Sequence, residues 1–324
     1  VIQCAIVTGI VNQLWQAQCV RNEVWVAVSL FCCHQPAAQD VFVSIPLLTH
    51  LIIDQQLTEQ NAQMLAAVRL DTLRSLDVRM DLCHAWFLKG CTQLRTLTCL
   101  SSNIKGASAI AQLTGLTQLE LRSAYPGQQL FSAAEQSELG STLAALSNLQ
   151  SLQISHAPPG PVTHALSQLT GLTELWLTQQ ELVVDPTPLI LPRCVKLTLY
   201  PETRVHHLGS IDAPQLRNLD VSLALKPNDL DVLRRVGMGV LKACTSLAIH
   251  LMDEAWSKED TVALMAALSQ DWQPSAQALQ PVKSNSIGPE RSSISSWSLQ
   301  LWHTHVSRQC LELLPKGLGC LHLG

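Results

Sequence analysis

Apolar residues return along this chain in a fixed phrase. Leu116-Thr-Gln-Leu119-Glu-Leu121, Leu149-Gln-Ser-Leu152-Gln-Ile154 and Leu172-Thr-Glu-Leu175-Trp-Leu177 all have the form L-x-x-L-x-L. With small apolar replacements the form recurs at Leu48/Leu51/Ile53, Leu73/Leu76/Val78, Leu94/Leu97/Cys99, Cys194/Leu197/Leu199, Leu216/Leu219/Val221, Cys244/Leu247/Ile249, Ile294/Trp297/Leu299 and Leu318/Leu321/Leu323. The last two apolar residues of each phrase are two apart, the spacing at which strand side chains share a face, so each phrase predicts one short strand with an inward apolar pair. Upstream, apolar residues fall at every third position, as in Ile110, Leu113, Leu116, Leu119 and in Leu166, Leu169, Leu172, Leu175. Helices are predicted in the longer returns, after the capping-box-like Ser132-x-x-Glu135 and Ser257-x-x-Asp260, and over Thr58 to Val68 and Asn228 to Val236.

Successive phrases start 25, 21, 22, 33, 23, 22, 22, 28, 50 and 24 residues apart. Most of these intervals match the 20–29-residue period of the leucine-rich repeat, and the chain resembles that family in its short-repeat form. The resemblance covers roughly three quarters of the chain. It implies an α/β leucine-rich-repeat solenoid, a curved horseshoe with parallel strands on the concave face and helices or loops on the convex face. The organisation expected is an N-terminal cap or degenerate repeats over 1–44, the repeat array over 45–269, a polar, flexible insertion with Pro and Ser over 270–293, and C-terminal repeats over 294–324. One departure stands out. The ninth position, where the family places Asn or Cys, holds Gln56, Asp81, Ser102, Ala124, Ala157, Gln180, Glu202 and Ala224. Without an asparagine ladder, main chain or water must satisfy the turns, and a less regular array is expected.

Composition narrows the function classes. The chain has 324 residues, 47% of them hydrophobic and only 14% charged, which excludes a solvated disordered chain. A net charge of −4 offers no broad attraction to nucleic acid or anionic lipid. No apolar run reaches the ~18–20 residues that span a bilayer. Because the chain starts at Val1, a leader peptide is neither shown nor excluded. Eleven cysteines without a C-x-x-C pair, and no Asn-x-Ser/Thr acceptor, lean towards an intracellular, cytoplasmic protein.

Candidate chemistry is sparse. Cys91, Cys99, Cys194 and Cys244 stand where the pattern wants an apolar residue and read as core. Cys32-Cys33-His34 and Cys83-His84 place ligand types at adjacent positions, a poor metal spacing, while His303 and His305 share a strand face without an identifiable third ligand. Phosphate-loop, nucleophile-elbow and zinc-protease motifs are absent. No catalytic residue, metal or cofactor is therefore expected.

The outward positions of the strands carry more information, because a large aromatic placed there has no core to fill. Trp176 and Tyr200 fall on adjoining repeats, with Glu174, Lys196, Glu120, Arg122, Asp220 and Gln153 around them. An aromatic centre inside a mixed-charge surround has the composition of a protein-binding hot spot. The family resemblance implies a non-enzymatic scaffold that binds a protein or peptide on the concave surface. Two alternatives are a metal-binding or enzymatic protein with its site in residues 1–44 or around His303 and His305, and the substrate-recruiting arm of a ubiquitin ligase, for which no F-box is recognisable.

Overall fold

The computed structural model describes residues 15–20, 23–28, 48–53, 59–67, 70–78, 85–100, 108–122, 133–155, 161–178, 188–204, 208, 211–233, 244–251, 257–271, 297–302, 312 and 318–323. The first two and last two strands enter through their backbone pairing alone. The chain divides into two units, Val1–Leu172 and Thr173–Gly324.

In the first unit, β1 (Trp15–Val20) and β2 (Glu23–Val28) form an antiparallel hairpin. β2 then pairs in parallel with β3 (Leu48–Ile53), and the parallel ladder continues through β4 (Ser75–Val78), β5 (Thr96–Leu100), β6 (Gln118–Arg122) and β7 (Ser151–Ser155). The return stretches carry α1 (Glu59–Ala67), a 3-10 turn (Ala85–Gly90), α2 (Ser108–Ala111), α3 (Ala133–Ala145) and α4 (Pro161–Gln168).

The second unit repeats the plan. β8 (Glu174–Thr178), β10 (Lys196–Arg204), β12 (Asn218–Leu225), β13 (Cys244–Leu251), β14 (Trp297–Trp302) and β15 (Leu318–Leu323) pair in parallel, with β9 (Leu189–Ile190) and β11 (Ile211–Asp212) as a small separate sheet. Helices here are α5 (Leu230–Val232), after a 3-10 turn at Pro227–Asp229, and α6 (Lys258–Asp271). The helix predicted over Asn228 to Val236 is helical over its described part, a 3-10 turn leading into α5, and residues 234–236 lie outside the described residues.

The period of three has a direct cause. In seven repeats, among the described residues, an N–H donates to the carbonyl three residues back: Leu73 to Leu70, Leu94 to Cys91, Leu116 to Leu113, Leu149 to Leu146, Leu172 to Leu169, Cys194 to Leu191 and Leu216 to Ala213. Such turns eclipse residues i and i+3, so one leucine in three points inward before the strand begins. Within the strands the pair positions close the core. Leu119, Leu121, Leu152, Ile154, Leu175, Leu177, Leu197, Leu199, Leu219 and Val221 are all buried. Cys91, Cys99 and Cys194 are buried among them with free thiols. Repeated burial at the L-x-x-L-x-L positions, in-register parallel pairing and helical or turning returns make this an α/β leucine-rich-repeat solenoid.

A main-chain ladder joins successive repeats at the start of the strands. Arg74 N–H donates to Thr49 O, Arg95 to Arg74, Thr117 to Arg95, and Gln150 to Thr117; in the second unit Val195 donates to Thr173 and Arg217 to Val195. Each bond ties one repeat to the preceding one and consumes no side chain. Asn148 adds a side-chain rung, its Nδ2 donating to Thr114 O at 2.8 Å. Of the ninth positions, Ala224 is buried inside β12, and the side chains of the others lie outside the described residues.

The capping box at Ser257 forms as the spacing predicts. Asp260 N–H donates to Ser257 Oγ at 3.0 Å, and Ser257 N–H returns a bond to Asp260 Oδ2 at 3.0 Å. α6 then runs to Asp271, two residues past the expected end of the array. The insertion expected over 270–293 otherwise lies outside the described residues, as do Ser132 and the side chain of Glu135.

Candidate functional site

Alternation along each strand sends the residues between and beside the inward pair to the opposite face of the sheet. On the first unit this places Thr98, Glu120 and Gln153 in one cross-strand row. Thr98 Oγ1 donates to Glu120 Oε2 at 3.3 Å. Arg122, two residues along the same strand, reaches Glu120 Oε1 through both Nε and Nη2. The Glu120 side chain is only 12% exposed against 50% for Arg122, so the carboxylate is covered and neutralised while the guanidinium edge meets solvent. Gln153 is half-buried beside them.

On the second unit the rows are Glu174–Lys196–Asn218 and Trp176–Thr198–Asp220. Neighbouring strands stand ~4.8 Å apart, and residues two apart on a strand ~6.8 Å, so Trp176 lies diagonal to Lys196 and next in line to Glu174. Lys196 takes the diagonal. Its Nζ sits 4.9 Å from the Trp176 ring centroid, a cation–π contact worth about 0.5–1 kcal/mol at a partly exposed site. Trp176 is half-buried, Glu174 exposed and Asp220 half-buried. Tyr200 pairs with Thr178 at the end of this strand pair, and its side chain lies outside the described residues.

The eight residues singled out in the sequence therefore divide between the units. Glu120, Arg122 and Gln153 gather on the first; Glu174, Trp176, Lys196, Asp220 and the Tyr200 backbone gather on the second. Two further outward positions are not solvent-facing. Thr198 is buried, because a short side chain stands between Trp176 and Asp220. Ser222 is 1% exposed, because β12 continues through Val221-Ser-Leu-Ala-Leu225, a run buried on both faces. Its Oγ has no hydrogen-bond partner among the described residues.

The three cysteines with described side chains are poor nucleophiles. Burial pushes the Cys91 and Cys194 thiols up to about 12, and burial reinforced by Asp77 and Glu120 raises Cys99 further. Cys194 instead donates to Lys196 O at 3.2 Å. Among the described residues, no group of three His, Cys, Asp or Glu side chains is placed to hold a metal ion. Cys32, Cys33, His34, Cys83, His84, His303 and His305 lie outside the described residues, as does the Cys244 side chain. Among the described residues, no helix is long and apolar enough to cross a membrane.

What the sequence pattern missed was orientation. It put Lys196 in the surround of Trp176, and the structure lays it on the ring. It also passed over Trp86, 37% exposed on the 3-10 turn of the return side, since this residue falls at no position of the repeat.

No family model matches the chain. No curated protein matches it either. Among solved structures it is similar to an internalin from Listeria monocytogenes, at 15% identity and a TM-score of 0.37, over 85% of this chain and 72% of that one. It is also similar to RGFR1, a plant peptide hormone receptor in complex with RGF2, at 11% identity and a TM-score of 0.33, over 95% of this chain and 52% of the receptor. The repeat architecture rests on this chain's own register and burial.

Proposed function

We propose that the protein is a non-enzymatic, intracellular interaction scaffold whose outward sheet face docks a protein or peptide. The observation that carries this reading is Trp176, an indole held half-buried on the face with no core to fill and steadied by the Lys196 ammonium. A rigid aromatic already partly desolvated loses little freedom on binding, which is what makes Trp and Tyr effective anchors. Tyr200 is the second anchor, and Glu174, Lys196 and Asp220 form the charged surround on the second unit. The Glu120–Arg122 pair and Gln153 give the first unit a polar face of its own.

The test is a paired measurement on Trp176→Ala combined with Tyr200→Ala. Partner capture, quantified by pull-down and mass spectrometry, is expected to fall at least about thirtyfold, the equivalent of ~2 kcal/mol for a lost hot spot. The melting temperature is expected to stay within about 2 °C of the parent, since Trp176 is half-buried on the outward face and Tyr200 falls at an outward position of the repeat pattern. Undiminished capture would remove Trp176 and Tyr200 as anchors.

A further inference from the structure

The second unit's outward face has one described lysine beside Trp176, and that lysine is turned away from its cross-strand carboxylate. Lys196 stands in register with Glu174, yet its ammonium lies over the Trp176 ring, and no ion pair within 4.0 Å joins it to Glu174. Glu174 is left exposed, with no salt-bridge partner among the described residues. The first unit behaves differently: there Glu120 is neutralised by Arg122 on its own strand. The second unit thus presents an aromatic face that already accepts a cation, next to a carboxylate that has none.

Resting on the docking reading above, we infer that the partner presents a basic segment, with an arginine that stacks on Trp176, forks onto Glu174 and displaces Lys196. The fit is geometric. Glu174 and Trp176 are two residues apart on β8, ~6.8 Å along the strand, within the span of one guanidinium lying over a ring and bonding a carboxylate at its edge. A guanidinium is planar and weakly hydrated, so it exchanges water for an aromatic face more readily than an ammonium does. Lys196 then acts as a resident competitor that keeps the ring covered until a better cation arrives. Asp220, two strands from Trp176 in the same row, adds negative charge to the same face.

The competitor role gives a test with an uncommon sign. The full chain is titrated calorimetrically with two synthetic decapeptides, one alternating Arg and Gly, the other Glu and Gly. The Arg–Gly peptide is expected to bind. Lys196→Ala should tighten it about threefold by vacating the ring, Glu174→Gln should weaken it about threefold, and Trp176→Ala should abolish it. Circular dichroism on each variant separates these effects from misfolding. If the Glu–Gly peptide binds instead, is lost in Trp176→Ala and is weakened by Lys196→Ala, the docking face stands and the basic-partner inference is overturned. Arg–Gly binding that ignores Trp176→Ala and Glu174→Gln, or binding of neither peptide, overturns the inference too. The capture experiment on the double variant then decides independently whether the docking face survives.

Discussion

Cys91, Cys99 and Cys194 occupy apolar positions of the repeat core and are fully buried. Their raised pKa values have two measurable consequences. At pH 8 the native thiols are expected to resist alkylation that labels them freely in denaturant, which peptide mass spectrometry reads directly. Because the folded pKa lies above the unfolded one, the protons they hold stabilise the fold fully below about pH 8.5 and progressively less as pH rises past it, so the melting temperature is expected to drop on the alkaline side. Face assignment is testable just as locally. Leu175, 0% exposed, should cost about 2–5 kcal/mol when cut to Ala, whereas Glu174→Ala, one residue away and exposed, should change stability by less than about 0.5 kcal/mol. Denaturant midpoints for the two variants check this. Such residues were legible in the sequence because strand period and burial agree at every copy. The diagonal set by Lys196 was not, since periodicity fixes which face a long side chain leaves from and not where its tip goes.

Among the elements, α3 and α4 meet at Gly140. A Cβ built there would lie 2.8 Å from the carbonyl oxygen of Pro161, the first residue of α4, and backbone cannot swing aside as a side-chain tip can. Gly140→Ala, which in an isolated helix gains about 1 kcal/mol, is therefore expected to lose about 1–3 kcal/mol here, a reversal that thermal melts detect. α6 shows the opposite case, a helix whose start was legible. Its Ser257–Asp260 box forms, and the bonds from the Ser257 hydroxyl and then its N–H hold the Asp260 carboxyl below the usual range. That contribution is present at neutral pH and vanishes as pH falls through the lowered pKa, so Ser257→Ala should lower the melting temperature at pH 7 and lower it less in acid. Strand lengths were harder to see. β10 extends across Pro201, where its register with β12 shifts between Leu199 and Thr203, and β12 runs on through Ser222-Leu-Ala-Leu225, past the end of the six-residue phrase.

For the molecule as a whole, stability resides in neighbours. Leu152 sits in β7 against the inward pair of β6, so Leu152→Ala should speed amide hydrogen exchange in both strands, while distant β4 keeps its protection. The repeat count was legible because eleven copies of one phrase leave little room for accident. The antiparallel β1–β2 hairpin was not, since a run of strand-forming residues does not announce the direction in which it pairs.

The peptide rungs that join Thr49, Arg74, Arg95, Thr117 and Gln150 ask nothing of those side chains, and the five positions hold three different residue types. A cassette cut between two rungs can therefore be copied, swapped or lengthened with almost any residue at the splice. Proline alone, lacking the N–H, would be refused there.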